Sequence, residues 1–222
     1  MWPEHLVRAL LEGAGIPVAP ARLARSASEA VSFAEEYGEP VVLKVASPSV
    51  AHKSDIGGVR LDVGADQVAA TFADMEARLA AARPDADLDG VLVGPMRGGG
   101  IELLIGVVTD PTWGQVLSVG LGGVWVEVLD DVALRILPVA SREITVMLSE
   151  LRGAALLRGS RGTRPADMDR LVSIVGLIAR LAEGLGDALD TLEVNPLRVD
   201  GDQIEVLDAL AVWRGEGARH AR

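Results

Sequence analysis

The chain contains no cysteine, so disulfides, thiolate nucleophiles and thiolate metal sites are excluded, and a reducing compartment is compatible. Aromatic residues are nearly as scarce, at 3% against 49% hydrophobic residues overall. The interior must therefore be aliphatic, built from Val, Leu, Ile and Ala. Positive charge is also short: 21 Lys and Arg face 32 Asp and Glu, a net charge of -11. That balance argues against non-specific nucleic-acid binding, which needs clustered cations. No run of about 18 uncharged apolar residues occurs, and no basic leader precedes an apolar segment. The expectation is a soluble, cytoplasmic protein with neither nucleic acid nor membrane as partner. Its 222 residues suffice for one large domain or two small lobes.

Histidine is rare too, and only His52 lies away from a terminus. It sits in the stretch around which the chain is organised. An apolar run, Val41 to Val45, carries the single lysine Lys44 and leads into a polar loop with Pro48. His52-Lys53-Ser54-Asp55 follows, then Gly57-Gly58 and a second alternating run, Val59 to Val63. Proline and serine break a helix there, while glycine permits backbone conformations closed to other residues. A lysine inside an apolar strand calls for an anion, because a buried ammonium is costly alone.

Helical and extended periods alternate elsewhere. Trp2 to Glu12 reads as an amphipathic helix with Leu6, Leu10 and Leu11 on one face. Ile16 to Leu23 reads as an edge strand, and Ser26 with Glu29 as a capping box opening a helix with Ala30, Val31, Phe33 and Ala34 inward. Asp66 to Ala82 is a second helix, its stripe Val68, Phe72, Met75 and Leu79. Gly90 to Met96 and Ile101 to Thr109 read as a hairpin turning at Arg97-Gly98-Gly99-Gly100. Glu102 begins an otherwise apolar run. After Val116 to Val119 comes Gly120-Leu121-Gly122-Gly123, with Glu127 beyond. Arg135 then lies inside the strand Asp131 to Val139, where a guanidinium calls for an anion such as a phosphoryl oxygen. Helices from Ser141 and from Pro165 to Leu185 follow. The mixture is α/β or α+β.

The last hairpin, Thr191 to Val212 around Gly201, has derivable geometry. Glu193 and Asn195 share one face of their strand. A two-residue turn using Gly201 pairs position 208 with 193 or with 195. Either register brings Asp208 beside them, and three oxygen-bearing side chains on one face suit a hard cation such as Mg²⁺.

Lys44 followed by His52-Lys53-Ser54-Asp55-Ile56-Gly57-Gly58-Val59, and the Glu193-Val-Asn195-Pro-Leu…Leu-Asp208-Ala ending, resemble the ATP-grasp (beta) subunit of NDP-forming acyl-CoA synthetases. These are the ADP-forming acetyl-CoA synthetases, related to the succinyl-CoA synthetase beta subunit. The resemblance implies an ATP-grasp fold, two α+β lobes with the nucleotide held between them. It makes residues 1–213 one domain, with lobes of approximately 1–90 and 91–213, and 214–222 a frayed tail. The Gly159 to Gly162 element also matches the family and reads as structural.

By the same resemblance, His52 relays a phosphoryl group between ATP or ADP and a partner. Lys44 and Lys53 hold phosphate oxygens, Pro95, Met96 and Glu102 meet the adenosine, and Arg135 with the Gly122 and Gly123 amides meets the moving group. Glu193, Asn195 and Asp208 hold Mg²⁺. Gly94 departs from the glutamine or glutamate common at its position. The implied reaction is acyl-CoA + ADP + phosphate = carboxylic acid + CoA + ATP, that of an acid-thiol ligase. The implied partner is a CoA-binding alpha subunit with its own phosphorylatable histidine, in a heterotetramer. Two other readings stand beside it: an ATP-grasp carboxylate-amine ligase, which has no use for His52, and a non-catalytic nucleotide-binding regulatory subunit.

Overall fold

The computed structural model describes residues 1–50, 53–123, 131–159 and 164–215. They divide into two compact units. Met1, Pro3–His5 and Ala19–Gly98 form the first; Trp2, Leu6–Val18 and the chain from Gly99 onward form the second.

The first unit holds the start of α1 (Glu4–Gly13), then β1 (Arg22–Ala24), α2 (Ala27–Tyr37), β2 (Val41–Ala46), β3 (Val59–Val63), α3 (Val68–Ala82) and β4 (Gly90–Pro95). Its sheet is antiparallel, in the order β1-β4-β2-β3. Ser26 caps α2 by accepting from the Glu29 amide, while Glu29 reaches back to the Arg25 amide rather than that of Ser26. The α3 stripe Val68, Phe72, Met75 and Leu79 is buried as its spacing predicts, against Val41, Leu43, Val45, Val91 and Val93. Each such side chain contributes about 1.5–3 kcal/mol on leaving water. On α2 only Ala30 and Ala34 are buried. Phe33 is half-buried and lies under the Arg22 guanidinium, 3.8 Å from ring centroid to Cζ.

The second unit runs through β5 (Ile101–Asp110), β6 (Gly114–Leu121), β7 (Val132–Ile136), α4 (Ser141–Glu150), α5 (Ala154–Leu157), α6 (Met168–Leu185), β8 (Leu189–Asp200), β9 (Gln203–Val206) and β10 (Ala209–Trp213). Its antiparallel sheet has the order β10-β8-β5-β6-β7, with β9 paired to β8. Leu103, Ile105, Val107, Leu117, Val119, Leu192 and Val194 form one core with Ile144, Met147 and Leu148 of α4 and with Leu171, Ile174, Val175 and Ile178 of α6.

Five expectations need correction. The run Gly90–Pro95 and the run Ile101–Asp110 are not a hairpin: β4 pairs with β1 and β2, whereas β5 pairs with β6 and β8. Both are interior strands, so each finds its ladder partners within its own sheet. For the same reason the division falls after Gly98 rather than at residue 90. The buried face of α1 is Glu4, Val7, Arg8 and Leu11, not the leucine face, and Leu6 is exposed. Ile16–Leu23 gives only a bridge at Val18 and the start of β1. Finally, Arg214 is not frayed: its amide donates to the Ala188 carbonyl and its guanidinium to that of Thr109. Glu127, Ser160–Gly162 and residues 216–222 lie outside the described residues. No helix among the described residues is long and apolar enough to cross a membrane.

Candidate active site

Ala51 and His52 lie outside the described residues; the nearest described residues on either side, Val50 and Lys53, belong to the first unit. On the entry side Val50 is buried, and the Arg83 guanidinium donates to the Ser49 carbonyl at 3.2 Å. On the exit side Lys53 begins a 3-10 turn, Lys53–Ile56. Its carbonyl accepts from the Gly58 amide at 2.7 Å, and the Gly58 carbonyl in turn accepts from the Val45 amide at 2.8 Å. The Lys53 ammonium donates to Glu4 Oε2. Lys44, on β2, donates to the other oxygen of the same carboxylate at 3.4 Å. The Glu4 side chain is 1% exposed and the two lysines 12% each. This is the anion that a lysine in an apolar strand requires.

Glu4 escapes a reading of the sequence that looks for leucines. A signal was present nonetheless: residues 4, 7, 8 and 11 follow the spacing of one helical face. Two of the four are charged, and each charge has a built-in partner. Arg8 donates to the Leu207 carbonyl at 3.0 Å.

In the second unit, strand register sorts the remaining candidates by face. Gly106 pairs with Glu193 on β8 and with Ser118 on β6, which pairs with Leu134 on β7. Cross-strand partners share a face. Glu102 and Val108, an even number of residues from Gly106, share it too. The face opposite the helices thus carries Glu102 and Glu193 together with exposed Val108, Val132, Leu134 and Ile136.

The closing hairpin completes the set. Asp200 pairs with Gln203 across a turn at Gly201 and Asp202, so Asp208 lies opposite Asn195, whose amide donates to the Asp208 carbonyl at 3.0 Å. This is one of the two registers left open by the sequence. Asn195 Nδ2 donates to Glu193 Oε1 at 3.1 Å. The ladder of β8 against β5 slips by one residue between Leu103–Leu197 and Ile105–Val194. Such a bulge bends a strand and re-aims its side chains. Glu193, Asn195 and Asp208 are thus neighbours along the closing hairpin. No group of three His, Cys, Asp or Glu that could hold a metal occurs among the described residues. Two carboxylates and an amide nonetheless match Mg²⁺, which takes one or two carboxylates and completes its shell with water and phosphate.

Other expected contacts are redirected. Arg135 pairs with Leu117 in the β6–β7 ladder, so it occupies the helix-covered face, opposite the oxygens. The anion it meets there is Glu150 of α4, at 2.7 Å. The Gly122 amide donates to the Glu102 carbonyl at 2.6 Å instead of facing a transferred group. A Cβ at Gly122 would lie 3.0 Å from Glu102 backbone atoms, so packing explains this glycine. At Gly123, a Cβ would lie 3.0 Å from the Glu102 carboxylate. In the first unit, Pro95 is buried and the Met96 amide donates to the Pro40 carbonyl at 2.9 Å. Neither residue therefore offers a backbone N–H to an adenine edge. A Cβ at Gly94 would come within 2.7 Å of the Pro20 carbonyl, so no longer side chain fits there.

Near the hairpin turn, buried Arg198 donates to the Gly99 carbonyl and to Asp200 and Glu205. Asp200 also accepts from Arg164 at 3.1 Å. Hydrogen bonding to Arg164, and secondarily the charge of Arg198, holds the Asp200 carboxyl below the usual carboxylate value.

This chemistry has counterparts. The ATP-grasp domain family model matches residues 1–212. The chain belongs to the ATP-grasp family. Its antiparallel two-sheet architecture is the ATP-grasp fold, and its relatives include subunits and longer chains of ADP-forming CoA ligases. It is 41% identical over 199 residues to acetate–CoA ligase (ADP-forming) I of Archaeoglobus fulgidus, matching 90% of this chain but 29% of that protein. It is 34% identical to the beta subunit of acetate–CoA ligase (ADP-forming) II of Pyrococcus furiosus, across 96% of this chain and 91% of that one. A solved structure of the dinucleotide-forming acetyl-CoA synthetase 1 of Ca. Korarchaeum cryptofilum, with coenzyme A and Ca-AMPCP, superposes with a TM-score of 0.89 at 34% identity, covering 96% and 93% of the two chains. Another structure of that synthetase carries a phosphorylated phosphohistidine segment.

Proposed function

We propose that this chain is the nucleotide-binding subunit of an ADP-forming acyl-CoA synthetase, and that His52 carries the phosphoryl group. The reaction is acyl-CoA + ADP + phosphate = carboxylic acid + CoA + ATP. The observation that carries the reading is the gathering of Glu193, Asn195 and Asp208, with Glu102, on the open face of the second sheet. It is supported by the ligase relatives that align across nearly the whole chain.

In the ATP-consuming direction an imidazole nitrogen of His52 attacks the γ-phosphorus. The N–P bond forms as the P–O bond to ADP breaks, its electron pair leaving on the β-phosphate oxygen. Imidazole suits this role because it is substantially neutral near pH 7. Phosphoryl transfer asks chiefly for positioning and charge stabilisation. Lys44 and Lys53 of the first unit would supply positive charge to phosphate oxygens, and Glu102 would contact the nucleoside. Glu193, Asn195 and Asp208 would hold Mg²⁺, which when bound neutralises phosphate charge. Arg135 is left out of this assignment because it lies on the helix-covered face, and the Gly122 amide because it is spent on the Glu102 carbonyl. Residues 1–213 act as one ATP-grasp domain.

The chain acts with a CoA-binding alpha partner that carries its own phosphorylatable histidine, in a cytoplasmic heterotetramer. The support is that some relatives are named as beta subunits while others are fused chains in which this one matches under a third. Incubating the chain with γ-³²P-ATP and Mg²⁺ tests the reading. Acid-labile label is expected on the protein and is absent from His52→Ala. Binding of ATP without any such label would overturn it in favour of a regulatory nucleotide-binding role.

A further inference from the structure

The ion cluster at the start of α1 has a shape that stability alone does not explain. One carboxylate, buried almost completely, is shared by two lysines that arrive from different places: Lys44 from the interior of β2 and Lys53 from the residue that immediately follows His52. Desolvating three charges is costly, and an apolar trio of similar volume commonly serves stability as well or better. What an apolar trio cannot do is fix the direction of two ammonium groups.

The surroundings of Lys53 point the same way. Its carbonyl is held by the Gly58 amide, and a Cβ at Gly58 would come within 2.9 Å of that carbonyl, so the backbone packs closely there. Farther along, Arg60 donates to the Gly57 carbonyl at 2.6 Å and to Asp74 at 3.0 Å. Backbone and side chain of the residue after His52 are thus both tied, and the side-chain tie ends on Glu4. The opposite side has its own tie, from Arg83 to the Ser49 carbonyl.

We propose that Glu4 is a positioning residue for phosphoryl transfer, a shared counter-ion that fixes the Lys53 ammonium relative to that of Lys44. This rests on the reading of His52 as the phosphoryl carrier. Glu4 touches neither phosphate nor nucleoside; it acts through the two lysines. Removing its charge takes away the carboxylate that the two ammonium groups share, so their mutual repulsion is no longer offset by it. Nucleotide affinity, which Lys44 and the second unit support, survives. The rate at which the phosphoryl group reaches His52 does not.

The test uses the full chain, γ-³²P-ATP and Mg²⁺, with single-turnover labelling of His52, and a parallel titration with a non-hydrolysable ATP analogue. Circular dichroism at the assay temperature confirms the fold of each variant. Glu4→Gln is expected to slow labelling at least about tenfold while the analogue Kd stays within about threefold, and Glu4→Asp, which keeps the charge, to recover most of the rate. Wild-type labelling kinetics in Glu4→Gln would overturn the proposal. So would parallel loss of labelling and analogue binding, or failure of both variants to fold, since each outcome marks a purely structural role. A wild-type chain that binds the analogue but takes no label on His52 would sink the carrier reading itself, a separate result.

Discussion

The two units handle charge in opposite ways. In the first, the groups suited to phosphate are cations, and the chain supplies their anion from within: the buried Glu4 carboxylate pairs with both Lys44 and Lys53. In the second, the groups suited to a metal are oxygens at half-exposed or exposed positions of a hairpin, Glu193, Asn195 and Asp208. Within this set the Asn195 side-chain amide donates to the Glu193 carboxylate. A cluster balanced from inside is costly to disturb in the folded state. A cluster completed from solution is cheap to disturb in the folded state and expensive to disturb in function. The two units should therefore respond in opposite senses to the same kind of substitution.

The largest expected effect is functional and falls on the second unit. Asp208→Asn or Glu193→Gln should reduce Mg²⁺-dependent labelling of His52 by at least about 100-fold while shifting unfolding free energy by no more than about 0.5 kcal/mol, as for ordinary surface substitutions. Labelling kinetics across a Mg²⁺ titration, beside urea melts, measure both. The mirror-image expectation concerns the first unit. Glu4→Gln should destabilise by about 3–5 kcal/mol, the usual cost of breaking a buried ion cluster from one side. Urea unfolding checks it. Equal stability losses for Glu4 and Asp208 variants would erase the contrast between the units.

How much of this the amino-acid order reveals depends on whether the relevant partner is near or far in sequence. The hairpin was legible because a tight turn at Gly201 narrows pairing by counting to two registers, either of which puts Asp208 beside the Glu193 and Asn195 pair. The α3 stripe was legible because helical period is local. The anion for Lys44 was not, because Glu4 lies 40 residues away and belongs to a helix whose leucines drew attention to the wrong face. The supposed hairpin from Gly90 to Thr109 failed for a related reason. Two apolar runs joined by glycines look alike whether the strands pair with each other or with different sheets, and only long-range ladder partners decide. Arg135 was correctly read as needing an anion, but strand parity set against the rest of the sheet was required to see that its face meets Glu150.

That last point carries a smaller prediction. Because Arg135 lies on the covered face, Arg135→Ala should change the labelling rate by less than about threefold and cost at most about 1 kcal/mol, the range of a partly exposed ion pair. A loss comparable to that of Asp208→Asn would restore Arg135 to the reaction and show that β7 rearranges when nucleotide binds.

The smallest effect distinguishes two carboxylates that look equivalent. Asp74 in the first unit is held below the usual carboxylate value by hydrogen bonds to Arg78 and then Arg60, as Asp200 in the second is by Arg164 and then Arg198. A carboxyl whose folded pKa is lowered contributes stability that is fully present above its unfolded value, about 3.9, and is lost as pH falls through the folded value. Stability should therefore be flat from neutrality to about pH 5 and fall below about pH 4, and Asp74→Asn and Asp200→Asn should each flatten that acid limb slightly. Salt separates them. Asp74 is 47% exposed and its partners are 29% and 54% exposed. Asp200 is 24% exposed; its first partner Arg164 is 54% exposed, but its second, Arg198, only 7%. Screening acts on exposed pairs and hardly on covered ones. In about 1 M salt, where the screening length is about 3 Å, the acid-limb difference between wild type and Asp74→Asn should vanish while the part of the Asp200→Asn difference that comes from Arg198 persists. Loss of both together would mean that the Arg198 cluster is as open to solvent as the helix-surface pair.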